Sequence, residues 1–377
     1  MKSLANDVRT WVEISRSAVL HNAAAMRKLL SPNVKLFAVV KSNAYGHGIF
    51  VMPPLLLEAG VDGFCVDSII EAVAMRERGI TAPILVLGFT LPKLYALAHE
   101  HKITLTISGM DALRALCVEK NVPEFHLKVD TGMHRQGFYV EDLPEVITAL
   151  KKSPAGKCLI GAYTHFASAK DINYPAYTDM QVAAFDRAVA MLHEAGWKKL
   201  VRHAAATAGA MVNKKYHYDA VRVGIGFYGL YPSKELRIQL PEINLQPILS
   251  WHTIVGEVKI AKKGDYVGYD LVERLHRDST LAVLPIGYWH GYPRALSGVG
   301  EVLINGKRAR VLGRVSMDIV VVDVTGINCK FGDRVTLTGT QGKEEVSAEE
   351  CAAAAGGASY YEYLTRINPL IERIVVE

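Results

Sequence analysis

The chain alternates short apolar runs with longer amphipathic stretches from about residue 15 to about residue 230. The runs are nearly continuous in apolar residues, as strands buried on both faces are, and the stretches between them have helical spacing. Eight such alternations predict a (β/α)8 TIM-like barrel, with an open doubly wound α/β sheet as the structural alternative. The strand-like runs are KLFAVVKS, GFCVDS, PILVLGF, ITLTIS, FHLKVDTG, CLIGAYTHF, LVRHAAAT and AVRVGIGFYG.

The pattern changes after about residue 244. Strand-like segments such as TLAVLPIGY, GEVLING, DIVVVDVT and RVTLTG are joined by short turns that carry Gly, Asn and Asp, and long helical patterns are scarce until SAEECAAAA. Such spacing is typical of a β-rich domain. We therefore expect two domains: a barrel over residues 1–244 and a mainly-β C-terminal domain over residues 245–377.

Composition excludes several classes of function. Hydrophobic residues make up 50% of the 377 residues and charged residues 21%, and the net charge of +5 is not gathered into a nucleic-acid or membrane patch. No apolar run reaches membrane-spanning length, and the N-terminus lacks the apolar core of a signal peptide. The five cysteines are far apart and form no CxxC pair. We expect a cytoplasmic protein with no metal site and no nucleic-acid or membrane partner.

Polar residues at the ends of barrel strands are the candidates for chemistry, because active sites of such barrels lie there. Lys41 ends the run LFAVVK, directly after Val39 and Val40. Partial burial would lower the pKa of its amine and expose the neutral form that makes Schiff bases. The alternative is a surface charge whose stem covers apolar atoms.

A phosphate site is the second element of this chemistry. The turn RVGIGFYG offers backbone N–H groups that could bind a phosphate, and Thr207 and Tyr45 add hydroxyl groups. A lysine together with a phosphate site suggests pyridoxal 5'-phosphate (PLP), which needs both. Glycine also marks ordinary turns, so this turn alone is weak support.

At this point a family resemblance becomes clear. The segments AVVKSNAYGHG, VDTGMHRQGF, YTHFASA, RHAAATAGA, VRVGIGFYGLYPS, VGYD, LPIGYWHGYPR and GRVSMD resemble those of alanine racemases over nearly the whole chain. That family joins an N-terminal barrel to a C-terminal β domain. The resemblance implies an isomerase that interconverts L-alanine and D-alanine with PLP by a two-base mechanism and supplies D-alanine for peptidoglycan. It also implies a homodimer with shared active sites.

The resemblance assigns roles to individual residues. It makes Lys41 the PLP lysine and Tyr269 the second base, acting in the barrel mouth of the other subunit. The implied catalytic residues are Lys41, Tyr269, His165 and Arg222; the cofactor-binding residues are Lys41, Tyr45, Arg135, Thr207, Arg222, Gly224 and Ile225; the substrate-binding residues are Arg135, Met317 through its backbone N–H, and Tyr288. Lys128 matches a lysine that is often carbamylated in the family and pairs with the arginine.

The chemistry accounts for these residue types. A free tyrosine has a pKa of about 10 and is a poor base at neutral pH. A hydrogen bond from His165, backed by the cationic Arg222, would favour the phenolate of Tyr269. Arginine stays protonated, so Arg222 would leave the pyridine nitrogen of PLP unprotonated and limit side reactions. Taken singly, these three residues could equally be a packing tyrosine, a core histidine and half of an ion pair.

Two departures from the family pattern leave the substrate open. The family usually has Asn-Ser at Ala206-Thr207 and commonly Ser-Tyr at Asn368-Pro369. In the family, that tyrosine narrows the substrate pocket. Because this chain lacks it, a serine or broader-specificity racemase is the main alternative. A PLP-dependent decarboxylase is less favoured because that family puts an acidic residue where Arg222 stands. A non-enzymatic single-barrel PLP carrier would lack the β domain.

Overall fold

The computed structural model describes residues 8–357 and 359–377, which form two compact units. The barrel unit comprises residues 17–44 and 52–247. The C-terminal unit comprises the described residues up to 16, residues 45–51 and residues 248–377. It therefore includes the first strand, β1 (Thr10–Ser15), although the predicted boundary at residues 244/245 would place that strand with the barrel. The first seven residues of the predicted barrel domain lie outside the described residues.

The barrel unit contains eight parallel strands, as the apolar runs predict. Their order is β4-β3-β2-β9-β8-β7-β6-β5, and a parallel bridge between Leu85 and Thr104 connects the two end strands. The (β/α)8 prediction is thereby confirmed. The strands are β2 (Lys35–Val39), β3 (Gly63–Val66), β4 (Ile84–Val86), β5 (Leu105–Ile107), β6 (Phe125–Lys128), β7 (Leu159–Tyr163), β8 (Val201–Ala206) and β9 (Ala220–Val223).

Helices alternate with these strands along the chain. The helix Met52–Glu58 has Pro53 in its first turn. A proline is tolerated there because the backbone N–H that it lacks would have no partner within the helix. The helix Ile69–Glu77 begins with a capping box between Ser68 and Glu71. The α-helices are Arg16–Lys28, Met52–Glu58, Ile69–Glu77, Tyr95–Glu100, Met110–Cys117, Leu143–Lys151, Ala176–Glu194, Thr207–Val212 and Lys234–Gln239; 3₁₀ turns are Pro92–Leu94, Val140–Asp142, Pro154–Cys158, Lys214–Tyr216 and Ile225–Tyr228.

The C-terminal unit is mainly β-sheet. Its strand β1 pairs antiparallel with β10 (Leu249–Ile254) and parallel with β20 (Glu372–Val376). The remaining strands are β11 (Glu257–Ala261), β12 (Tyr266–Val267), β13 (Glu273–Arg274), β14 (Ser279–Leu284), β15 (Glu301–Ile304), β16 (Lys307–Leu312), β17 (Val320–Asp323), β18 (Arg334–Gln341) and β19 (Glu344–Val346); its helices are Ala348–Ala354 and Tyr360–Thr365, and its 3₁₀ turns are Tyr269–Leu271, Tyr288–His290 and Arg294–Leu296. Among the helices of the described residues, none combines the length and the apolar character that a membrane span requires.

Candidate active site

Lys41 lies just beyond the end of β2. Its side chain is 38% exposed, and its Nζ lies 3.9 Å from Oδ1 of Asp67, whose side chain is 60% exposed. An ion pair between such exposed groups is weak. The amine is therefore not held by this contact and remains accessible to a ligand.

The backbone after Lys41 forms one turn of left-handed helix. The φ angles of Ser42, Asn43 and Ala44 are 55°, 56° and 52°. Left-handed helical backbone costs about 1–2 kcal/mol per L-residue, and Asn43 alone of these three is of a type that adopts it readily. The N–H of Ser42 donates to Oε1 of Glu71 at 2.6 Å, which helps to hold the turn. Backbone strain of this kind is concentrated at functional sites, which supports a functional role for Lys41.

Arg222 lies in β9, and its guanidinium is buried, with only 2% of the residue exposed. Its Nη2 donates to the carbonyl oxygens of Thr164 (2.8 Å) and Ala204 (2.9 Å) and to Nδ1 of His165 (3.3 Å), and its Nη1 donates to Nδ1 of His203 (2.5 Å). Among the described residues, Nε has no hydrogen-bond partner and no carboxylate pairs with the group. Burial lowers the pKa of Arg222, yet arginine stays protonated in proteins. The barrel thus holds a buried cation whose Nε–H is unused by the described residues.

Two more histidines extend this network. Because a guanidinium can only donate, Nδ1 of His203 accepts from Arg222, and its Nε2 carries the proton that it donates to Nδ1 of His126 at 2.7 Å. The ring of Tyr163 stacks on His203, with centroids 4.7 Å apart. Burial, with the charge of Arg222, lowers the pKa of His126 to about 3 and that of His203 well below its ordinary value. Both imidazoles are neutral, so Arg222 is surrounded by neutral partners.

His165 lies two residues beyond the end of β7. Burial, followed by the charges of Arg222, Lys128, Arg135 and Lys41, lowers the pKa of His165 well below its ordinary value. Its Nδ1 accepts from Arg222, so the proton of the neutral ring is on Nε2. The structure therefore brings these predicted residues into one neighbourhood and leaves His165 with an N–H donor at Nε2.

Thr207 begins the helix that follows β8, and its hydroxyl lies against the glycine turn after β9. Its Oγ1 accepts from the N–H of Gly224 at 3.1 Å and from the N–H of Gly226 at 3.4 Å. Its own hydroxyl proton is left to donate elsewhere. Ile225 begins the adjoining 3₁₀ turn, whereas Ala206 supplies no side-chain cap. The hydroxyl and the turn that were predicted to bind phosphate are adjacent.

Arg135 is carried by a loop that is organised around Asp130. The carboxylate of Asp130 accepts from the N–H groups of Gly132 (2.9 Å), His134 (3.0 Å) and Arg135 (3.0 Å). Burial raises the pKa of Asp130, but the three hydrogen bonds together lower it by more. The net pKa of Asp130 is therefore below its ordinary value. Arg135 and Lys128 line one small cavity. The acidic side chain thus fixes the loop that presents Arg135.

In the C-terminal unit, Tyr269 lies on a tightly held loop. Val267 is buried in a small apolar cluster, and a Cβ at Gly313 would lie 2.4 Å from the Val267 carbonyl oxygen, so only glycine fits there. Arg314 Nε lies 2.6 Å from a carboxylate oxygen of Asp270, which itself has a φ of 62°. The side chain of Tyr269 is nevertheless presented outward, with 69% of the residue exposed.

The other predicted residues of this unit lie outside its strands. Met317 is 55% exposed, and its N–H donates no hydrogen bond to any residue that the structure describes. Tyr288 lies in the neighbouring loop, where its N–H donates to the carbonyl of Ser316 at 3.0 Å. Tyr45 packs against Tyr361, with ring centroids 6.0 Å apart. An unpaired N–H at Met317 is what a carboxylate-binding backbone group requires.

Comparison with known proteins decides the family. The alanine racemase N-terminal domain model matches residues 14–232, and the alanine racemase C-terminal domain model matches residues 248–375. The chain belongs to the alanine racemase family. An alanine racemase from Leptospira interrogans is 36% identical over 100% of this chain and 98% of its own length.

Solved structures agree with this family assignment. The crystal structure of alanine racemase from Bacillus anthracis with bound L-Ala-P has a TM-score of 0.92 and 35% identity, covering 98% of this chain and 95% of that chain. A histidine racemase from Leuconostoc mesenteroides has a TM-score of 0.86 and 32% identity, covering 98% of each chain. The fold therefore accommodates racemases that are named for different amino acids.

PLP is the cofactor of alanine racemases, and the residues present fit it. The observation that tests the fit is the buried cation of Arg222, whose Nε has no partner among the described residues and which no carboxylate neutralises. Such a group suits an uncharged ring nitrogen that accepts a hydrogen bond. The Thr207 hydroxyl and the N–H of Ile225, which donates to no residue that the structure describes, are donors suited to a phosphate, and Lys41 offers an accessible amine.

Four residues around this alanine racemase site were missed from the sequence. His126 and His203 interrupt the apolar runs FHLK and LVRHAAAT, and a histidine inside a buried strand was a usable signal. Glu71 was visible as part of the capping box S-x-x-E, but its contact with the turn after Lys41 was not. Asp130 is one of many aspartates that begin a loop, and no signal in the sequence singles it out.

Proposed function

We propose that this chain interconverts L-alanine and D-alanine with PLP, using Lys41 and Tyr269 as the two bases. The observation that carries this proposal is the environment of Arg222, a buried guanidinium with only neutral partners. An acidic residue at that place would favour the strongly electron-withdrawing ring that decarboxylation uses. Arginine favours a ring that permits simple removal and return of a proton.

Cofactor binding would divide among the barrel and loop residues. Lys41 would hold PLP covalently through Nζ, and Arg222 would donate from Nε to its pyridine nitrogen. When bound, PLP draws electrons from the α-carbon of the amino acid and makes its proton acidic enough to be removed. The phosphate would be held by Tyr45, Thr207, Gly224 and Ile225. The phosphate-binding donors are hydroxyl and backbone N–H groups, so they bind without adding charge.

Proton transfer would fall to Lys41 and Tyr269 on opposite faces of the substrate. Lys41 would exchange the α-proton of D-alanine, and Tyr269 that of L-alanine. His165 would donate from Nε2 to the phenolate oxygen of Tyr269, because its Nδ1 is occupied by Arg222. A donated hydrogen bond stabilises the charged form of a phenol and makes it a better base near neutral pH.

Substrate binding would rest on groups that recognise a carboxylate. Arg135 would face the carboxylate and the phenolic oxygen of PLP, and the N–H of Met317 would donate to the same carboxylate. The loop around Asp130 would hold Arg135 in place. Tyr288 would line the substrate pocket. A charged donor with a backbone donor gives the fixed orientation that removal of one proton from one face requires.

We also propose a homodimer in which each Tyr269 completes the site of the partner. Tyr269, Leu271 and Val272 are 69%, 66% and 54% exposed in the C-terminal unit. Several exposed apolar side chains on one short segment are typical of an interaction surface. The five cysteines are all unpaired, which is consistent with a reducing, cytoplasmic setting. D-alanine made there would be available for peptidoglycan synthesis.

Assay of D/L interconversion over a panel of amino acids tests this function. We expect alanine to be the best substrate and serine to be turned over measurably but more slowly, because Pro369 replaces a tyrosine ring that narrows the pocket in the family pattern. The amide of Asn368 is already bonded to the carbonyl of Trp289 and to the N–H of Leu370, so the breadth would come from the missing ring. Absence of alanine turnover would refute the function.

The residue at position 369 is expected to set this breadth. Changing Pro369 to Tyr should lower the serine-to-alanine ratio of kcat/KM by about tenfold, the low end of what shape selection in a pocket achieves. Pro369→Ala, which adds no ring, is the matched control and should leave the ratio close to that of the wild type. A wild-type enzyme with no detectable serine turnover would count against this view of the pocket.

Lys128 is expected to carry a carboxyl group derived from CO2. Burial, followed by the charges of Arg222 and Arg135, lowers the pKa of Lys128 well below its ordinary value, and a neutral amine is the form that reacts with CO2. The carbamate would pair with Arg135. Protein equilibrated with ¹³C-bicarbonate should show a carbamate carbon signal by NMR that is missing from Lys128→Gln. The same signal in both proteins would exclude Lys128 as its source.

A further inference from the structure

Glu71 binds four backbone N–H groups with one carboxylate. Its Oε1 accepts from Ser42 at 2.6 Å and from Asn43 at 3.4 Å, and its Oε2 accepts from Asp67 at 2.9 Å and from Ser68 at 3.4 Å. All four partners are donors, so both oxygens must be acceptors. A carboxylate meets that requirement, whereas an amide has only one oxygen.

One of these four bonds, from the N–H of Ser68, belongs to a helix capping box. In a capping box, the residue at the third helical position reaches back to the N-cap backbone, and the N-cap hydroxyl accepts from its N–H. Ser68 Oγ does accept from the N–H of Glu71 at 3.3 Å. The other oxygen is not needed for the cap. It is bonded to the left-handed turn that starts directly after Lys41.

The same carboxylate also reaches the ion-pair partner of the lysine. Asp67, whose backbone N–H donates to Glu71, has its Oδ1 3.9 Å from Nζ of Lys41. Glu71 therefore holds both the backbone that follows Lys41 and the backbone of Asp67. Loss of Oε1 of Glu71 as an acceptor would release the turn at Ser42 and Asn43. It would leave the apolar contacts of the strand in place.

We propose that Glu71 is a positioning residue for Lys41: its carboxylate keeps the turn at Ser42 and Asn43 left-handed and so directs the amine toward PLP. This inference rests on the proposed role of Lys41 as the PLP lysine. It predicts that the charge and the length of the side chain at position 71 both matter. It also predicts that the helix cap at Ser68 contributes little to cofactor binding.

Three variants separate positioning from capping. Glu71→Gln keeps the shape but turns an NH2 group toward one pair of N–H donors. Glu71→Asp keeps the charge near the start of the helix, where it stabilises the helix, but shortens the reach to Ser42, so it remains informative if the glutamine variant folds poorly. Ser68→Ala removes the cap hydroxyl and leaves the four bonds of Glu71 intact. Unfolding temperatures of all three establish that they are folded.

Three measurements on the purified holoenzymes test the idea. In both Glu71 variants, the Ser42 and Asn43 amides should exchange faster with deuterated water, and the dissociation constant for PLP should rise by about tenfold to a hundredfold, as expected when hydrogen bonds to a charged acceptor are lost. Borohydride should label Lys41 with PLP more slowly. Ser68→Ala should match the wild type in all three.

The outcomes distinguish this inference from the proposed function. If borohydride labels a lysine other than Lys41 in the wild type, the proposed function fails and this inference fails with it. If Lys41 is labelled in the wild type, and the Glu71 variants match it in amide exchange, PLP affinity and labelling rate, only the role of Glu71 is overturned. Equal defects in Ser68→Ala and Glu71→Gln would likewise reduce Glu71 to a helix cap.

Discussion

Replacing Lys41 with alanine is expected to lower racemisation by about 10⁴-fold or more, the upper end of the effect of losing one acid/base group, because the cofactor attachment is lost with it. The wild-type protein should absorb in the visible region, and borohydride should fix PLP on Lys41. The variant should lose its PLP on dialysis. Chiral chromatography of alanine gives the rate, and peptide mapping after borohydride gives the attachment site.

A matched control exists in the same strand. Lys35 is exposed at the opposite end of β2, so Lys35→Ala removes the same side chain from the same strand without touching the proposed site. It should retain PLP and nearly full activity. Lys41→Arg should behave like the alanine variant, since a guanidinium carries charge but cannot act as the nucleophile. Labelling of the wild type at any other lysine would overturn the assignment.

The barrel could be predicted because its signal is local. Each buried strand is a short apolar run, and each helix that follows has its own spacing, so KLFAVV and GFCV could be assigned without knowing their partners. The pairing of β1 could not. Its partners β10 and β20 lie more than 230 residues further along the chain, and no local pattern selects them.

The candidate site was predictable only in part, for similar reasons. Lys41 was a candidate because strands of a barrel deliver their ends to one face, and Arg222 became one through the family resemblance. The left-handed turn was not, because Ser42 and Ala44 carry no residue-type signal for positive φ. Its hydrogen-bond acceptor, Glu71, comes from the helix after the next strand. The tautomers of the buried histidines depend on a strand register that the sequence does not display.

Replacing Tyr269 with phenylalanine is expected to separate the two faces of the reaction. The variant keeps the ring and removes only the ionisable oxygen, so PLP should stay bound to Lys41. Racemisation should fall by roughly 10²–10⁴-fold or more, as for the loss of an acid/base group. In deuterated water, Lys41 should still exchange the α-proton of D-alanine, whereas exchange of L-alanine should be largely lost. NMR of both enantiomers with this one variant measures the two rates.

Mixing the two inactive variants tests whether Tyr269 serves the partner's site. If it does, a dimer of one Lys41→Ala chain and one Tyr269→Phe chain has one site with both changes and one intact site. Co-expression should then restore about a quarter of wild-type activity, because half of randomly paired dimers are mixed and each has one good site of two. A site built within one chain would give no restoration. Equal loss of both exchanges in Tyr269→Phe, with PLP still bound, would refute the two-base assignment itself.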